Sequence, residues 1–163
     1  MQIITHRLTS ATHQSDEPAI DPNILPTLSL VAEDRTRSRH RFVTDQGEEI
    51  NLQLPRGTVL RDGDILGDDR HQPVVKILAK PEAVVTVTSH HALELLRAAY
   101  HLGNRHIALE VTENYLRFSP DSVLEDMVRQ MGLTLTQEIQ PFQPETGAYH
   151  HSAQVHSHHH HHD

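Results

Sequence analysis

The sequence predicts an α+β protein: a small all-β N-terminal domain, then a βαββαβ domain, then a flexible His-rich C-terminal tail. Three observations carry this. Over residues 1–78, apolar side chains alternate singly with polar ones in short runs separated by Gly, Pro and Asp turns, as in half-buried strands. From Ala83, period-two and helical patterns succeed one another in the order β-α-β-β-α-β. After Pro141 the chain turns polar, and half of its 16 histidines fall within the final stretch from His150.

Ser10–Pro26, rich in Asp, Glu and Pro, reads as a loop joining a first strand to the rest. Leu28, Leu30 and Ala32 then alternate with polar residues. Arg35, Arg37, Arg39 and Arg41 continue the alternation against Thr36, Ser38, His40 and Phe42, which places four guanidinium groups on one face of a single strand. Such a face suits plain solvation, docking of a partner's acidic groups, or nucleic acid. Asp45-Gln46-Gly47 is a turn, and Glu49–Leu54 returns as a strand with Ile50, Leu52 and Leu54 on one side. Turns follow at Pro55-Arg56-Gly57 and Asp62-Gly63-Asp64. Composition shifts near Asp68–Pro73, and Val74–Leu78 is the last strand of the first domain.

The second domain spans residues 79–141. Ala83–Thr88 is a Val-rich strand, and Ser89 caps a helix with Leu93, Leu96 and Tyr100 on one face, widened by Leu95, Ala99 and Leu102. Gly103-Asn104 supplies a left-handed cap. Strands His106–Val111 and Tyr115–Phe118 meet at the turn Thr112-Glu113-Asn114. Pro120-Asp121 opens a second helix, apolar at Val123, Leu124, Met127, Val128 and Met131 and ended by Gly132. Leu133–Ile139 closes the ferredoxin-like order. Residues 142–163 form the tail, expected to stay disordered without metal.

Composition narrows the chemistry. There is no Trp and only three Phe and three Tyr, so two modest aliphatic cores are expected. A net charge of −8, shared evenly by the two halves, argues against nucleic acid as a partner and favours cations. With no cysteine, disulfides and thiolate sites are excluded, which leaves imidazole and carboxylate for Ni(II), Cu(II) or Zn(II). No apolar run reaches the ~18–20 residues of a membrane span, and Met1-Gln2-Ile3-Ile4 does not open a signal peptide, so a cytoplasmic location is expected. No Gly-x-Ser-x-Gly elbow, phosphate loop or His-Glu-x-x-His motif occurs, and the chain is not read as an enzyme.

The candidate metal ligands are histidines. The tail carries His150, His151, His156, His158, His159, His160, His161 and His162. An appended purification tract is the alternative. Five rather than six terminal histidines, the trailing Asp163 and three preceding histidines favour a native tail. His106, after Gly103-Asn104-Arg105, is on pattern alone either a ligand or an ordinary surface histidine. His101 complements a helix C-terminus, and His90 and His91 are neutral surface residues. His6, His13, His40 and His71 receive no role.

Taken together, several motifs resemble the UreE urease accessory protein family. They are Asp34–Phe42, Leu54-Pro55-Arg56-Gly57-Thr58, Asp62-Gly63-Asp64, Tyr100–His106 and Gly147-Ala148-Tyr149-His150-His151, in register over nearly the whole chain. The resemblance implies a cytoplasmic nickel metallochaperone that delivers Ni(II) for assembly of the urease metallocentre. It implies a homodimer formed through the second domain, with His106 binding metal at the dimer axis and tail histidines completing the shell. It also implies partners, a urease accessory GTPase and the urease apoprotein complex, and so supports the docking reading of the arginines. Zn(II) or Cu(II) would compete in vitro. Some members carry histidines where this chain has Pro120 and Ser122, so a secondary site there is not expected. A passive metal-storage or detoxification protein is the competing function, and a metal-dependent hydrolase the weakest.

Overall fold

The computed structural model describes residues 1–8, 21 and 23–147. Among them the first half holds β1 (Gln2–Ile4), β2 (His6–Leu8), β3 (Thr27–Leu30), β4 (Arg39–Val43), β5 (Glu49–Gln53), β6 (Ile65–Gly67) and β7 (Pro73–Ala79). They form two sheets, ordered β1-β5-β4 and β2-β6-β7-β3. One hydrophobic cluster draws on both, with Ile4, Ile50 and Leu52 from the first sheet and Leu28, Leu66, Val75 and Ile77 from the second. The alternation in the sequence thus reports the inner faces correctly. Gly47, at φ +90°, makes the β4–β5 turn that a Cβ would strain.

The arginine run is not one strand. Asp34–Thr36 is a single 3-10 turn, and β4 begins only at Arg39. Arg35 is 1% exposed, whereas Arg39 and Arg41 share the outer face of β4. Arg37 meets Asp34 at 3.2 Å and Glu33 at 3.5 Å, pairs at the i,i+3 and i,i+4 spacing of a helical turn. An alternation of Arg with other polar residues has no apolar face to bury, so nothing holds it in a strand against these local contacts.

The second half contains β8 (Glu82–Thr88), α1 (Ala92–Gly103), β9 (Glu110–Val111), β10 (Leu116–Phe118), α2 (Ser122–Gln130) and β11 (Thr134–Gln140). The expected β-α-β-β-α-β order is present, in an antiparallel sheet ordered β11-β8-β10-β9. Both helices contribute to one core, with Leu95, Ala98 and Leu102 from α1 and Leu124 and Val128 from α2 beside Val85, Val87, Leu116 and Phe118. Asp121 caps α2, accepting the N–H groups of Val123 and Leu124 at 2.9 and 3.0 Å.

Three local expectations are corrected. His91, not Ser89, is the N-cap of α1; the Ser89 hydroxyl instead accepts the His91 N–H and donates to Glu94. The inward face of α1 is Leu95, Ala98 and Leu102, while Leu93, Leu96 and Tyr100 are 56%, 67% and 67% exposed. The helix is apolar on two sides, and periodicity alone does not say which side the sheet takes. The chain also stays packed beyond Pro141, since Phe142 is 2% exposed.

The two N-terminal sheets are tied at Asp45. Its carboxylate accepts the hydroxyls of Thr27 and Ser29 at 2.6 and 2.8 Å, joining the β4–β5 turn to β3. Burial pushes the Asp45 carboxyl up, but the hydrogen bonds from Thr27 and Ser29 hold it below its ordinary value. The unfolded chain then binds the proton more tightly. The contribution is present above the ordinary carboxylate range and is lost as pH falls through the lowered value. Asp45→Ala should cost about 1–2 kcal/mol at neutral pH and progressively less as pH falls below the ordinary carboxylate range, read by urea denaturation across a pH series.

Candidate metal centre

His106 stands at the end of α1 on an exposed turn. The helix does not stop in a left-handed cap at Gly103-Asn104. Instead, Asn104, Arg105 and His106 donate in turn to Tyr100, Leu102 and Gly103, tightening the last turn. The left-handed residue is His106 itself, at φ +55°. The strand expected from His106 accordingly begins only at Glu110. A non-glycine residue held at positive φ costs about 1 kcal/mol and is worth explaining by function. Here the reversal sets the imidazole on the outside of the molecule, open to an ion or to a second chain.

Among the described residues no group of three or more His, Cys, Asp or Glu is placed to hold a metal ion. His106 therefore has no ready-made shell among them. His150, His151, His156 and His158–His162 lie outside the described residues, as does His13. His90 is exposed and His91 serves as a helix cap, consistent with their reading as surface residues. His6 and His71, given no role by the sequence, have ring centroids 4.0 Å apart, and His6 Nδ1 is 3.1 Å from the Asp68 carbonyl oxygen.

Sequence reasoning also missed a polar network on the face of the β11-β8-β10-β9 sheet turned away from its helices. Arg117 donates to Thr86 at 2.9 Å, lies 4.2 Å over the Tyr115 ring, and approaches Glu138 at 3.6 Å and Glu110 at 3.9 Å. The Thr86 hydroxyl, Gln140 and Arg117 hold the Glu138 carboxyl below its ordinary value. Burial and the bond to Glu110 raise the Tyr115 phenol. The signal was present as polar residues on the solvent side of three strands, but their meeting depends on register.

These halves define a two-part α+β protein, a β-rich unit followed by a βαββαβ unit with a surface histidine beyond its first helix. Residues 4–80 match the family description "UreE urease accessory protein, N-terminal domain", and residues 82–163 match "UreE urease accessory protein, C-terminal domain". A protein of Nostoc punctiforme named urease accessory protein UreE is 57% identical over 142 residues, 86% of this chain and 96% of its own length. Its namesake in Microcystis aeruginosa is 46% identical over 151 residues, 93% of this chain and 94% of its own. The chain belongs to the UreE urease accessory protein family.

The left-handed turn makes a clean test of His106. Glycine accepts φ +55° without strain, so His106→Gly should leave stability unchanged or raise it by about 0.5–1 kcal/mol while removing the imidazole. Urea unfolding checks this. A loss above 1 kcal/mol would mean that the ring itself supports the fold.

Proposed function

We propose that this protein is a cytoplasmic nickel metallochaperone, delivering Ni(II) for assembly of the urease metallocentre rather than catalysing a reaction itself. The observation that carries the reading is His106, an exposed imidazole on a left-handed turn at the end of a helix whose outer side is apolar. Membership of a urease accessory family supports it, as does a tail supplying up to eight further imidazoles.

The residues also support a symmetric site. One imidazole is a poor ligand set, whereas two related by a dimer axis hold one ion between them. Leu93, Leu96 and Tyr100 recur on one stripe of α1 and lead along the helix toward the His106 turn. A second copy of the chain covers this stripe and brings its own His106 alongside. In this reading residues 79–141 form a ferredoxin-like domain for dimerisation and metal binding, and the residues after 141 lead into the ligand-bearing tail. Residues 1–78 serve for docking to a urease accessory GTPase and the urease apoprotein complex. Arg39 and Arg41 on β4 present guanidinium groups for partner carboxylates. No helix of the described residues is long and apolar enough to cross a membrane, in keeping with a cytoplasmic role.

Leu96→Asp combined with Tyr100→Asp should convert the dimer to a monomer by light scattering and abolish the tightest Ni(II) site with it. A dimer of unchanged stability would place the interface elsewhere.

Delivery and storage part company in cells. His106→Ala should abolish urease activation when nickel is scarce, whereas removing His156–Asp163 should lower the number of ions bound yet leave activation intact when nickel is plentiful. Urease activity across a nickel series measures both. If truncation removes all activity at high nickel and His106→Ala has no effect, the tail is the working site and the chaperone reading fails. Binding should weaken near pH 5–6 in either case, because protonated imidazole is no ligand.

A further inference from the structure

Two imidazoles meet on the β-rich half, away from the proposed metal centre. His6 lies on β2 opposite Gly67 of β6, and His71 lies in the loop from β6 to β7. Their ring centroids are 4.0 Å apart, with the planes inclined at 35°. The loop is built for this approach. The Asp68 carboxylate accepts the Arg70 and Gln72 N–H groups at 3.0 and 2.9 Å, and the Asp68 carbonyl accepts the His71 N–H at 3.1 Å. A Cβ at Gly67 would come within 2.9 Å of the Gln72 carbonyl oxygen, so only glycine lets the loop fold back over β6. The chain then reverses at His71 itself, at φ +60°. A left-handed non-glycine residue costs about 1 kcal/mol, and His71, being exposed, offsets none of it by burial.

His6 is held in the form that a metal takes. Its Nδ1 lies 3.1 Å from the Asp68 carbonyl oxygen and 2.8 Å from the Thr5 hydroxyl. A carbonyl oxygen only accepts, so Nδ1 carries the proton and Nε2 keeps the lone pair. A backbone carbonyl on the far nitrogen is what fixes tautomer and ring orientation in metal-bound histidines. Neither His6 Nε2 nor the His71 ring makes a hydrogen bond among the described residues.

The spacing selects the ion. With a metal–nitrogen distance of about 2.0–2.1 Å, each ring centroid stands roughly 3.2 Å from the ion. Two imidazoles at a right angle then have centroids about 4.5 Å apart, and two at the tetrahedral angle about 5.2 Å. From 4.0 Å the pair must open by roughly half an ångström for the first and by more than about 1 Å for the second. Right angles belong to square-planar or octahedral Ni(II) and Cu(II), and the tetrahedral angle to Zn(II).

We propose that His6 and His71 form a second metal site, a two-imidazole chelate for Ni(II) or Cu(II) with water in the remaining positions. It uses neither His106 nor the tail, so it stands separately from the proposed dimer-axis centre. Two neutral donors leave most of the shell to water, and the ion exchanges readily.

The test is nickel(II) chloride titration of the full-length chain, followed by proton–nitrogen correlation NMR, which reads each backbone amide separately. With Ni(II) in excess over the chain's 16 histidines, the amides of His6 and of Asp68 to Gln72 should shift or broaden. His71→Gly removes one ring and accepts φ +60° without strain, and His6→Gln removes the other. Losing even a group that only orients a ligand costs roughly 10–100-fold in affinity, so either variant should weaken the response on both strands at least about tenfold. If these amides ignore Ni(II) in the unsubstituted chain, the site does not exist. If His71→Gly leaves the His6 response unchanged, each histidine binds alone and the chelate fails. Should His6→Gln unfold, His71→Gly alone decides, since its ring is exposed. Amides around His106 report the other centre in the same spectra. Their silence would sink the proposed function while leaving this site standing.

Discussion

A guanidinium buried without a carboxylate in contact is the constraint around which this chain is arranged. Burial lowers the Arg35 pKa, while Glu82, Asp62, Glu110 and Asp64 oppose that shift from a distance. Removing a cation from water is costly, and carbonyl oxygens offset the cost only where the backbone holds still. The carbonyls of Leu60 and Phe142 come from the two halves of the sequence, so satisfying Arg35 brings the halves together. The Ala32 N–H donates to Glu82 at 2.7 Å nearby, a second tie across the short link between β7 and β8. Two aliphatic cores, each modest, gain a common orientation from a few polar contacts.

Much of this was legible in the sequence because it depended on neighbours along the chain. Strand faces such as Ile50, Leu52 and Leu54 follow from period two, and Asp121 and Gly132 mark the ends of α2 by local backbone chemistry. Arg35 failed for the opposite reason. Its partners Phe142 and Gln143 lie more than 100 residues away, and no local pattern distinguishes it from Arg37, Arg39 and Arg41. Phe142 misled similarly, a lone aromatic among polar residues whose burial depends on the same distant contact.

The errors in α1 and at His106 are more instructive. Leu93, Leu96 and Tyr100 belong to an apolar stripe, as the sequence says, but the sheet takes Leu95, Ala98 and Leu102 instead. One apolar side of the helix is covered by the sheet, and the other stays exposed among the described residues. Likewise the Gly-Asn pair draws the eye as a cap, whereas the chain reverses at His106. Glycine tolerates helix as readily as reversal, so its presence permitted the cap without requiring it. What the sequence located was a helix end beside a histidine; which residue bears the left-handed strain was settled by the i to i+3 bonds beyond Leu102.

On the proposed function these features answer one physical demand. A delivery protein must bind an ion firmly enough to collect it and loosely enough to release it. A closed four-ligand site of ordered residues binds too tightly, while a free run of histidines binds without place or stoichiometry. An exposed His106 that depends on a second chain and on a tethered tail lies between these limits. Each missing ligand is supplied at an effective concentration rather than fixed in the fold, so the ligands can leave one at a time as a partner's groups replace them. On that reading, the left-handed turn at His106 sets where the ion sits without closing the shell.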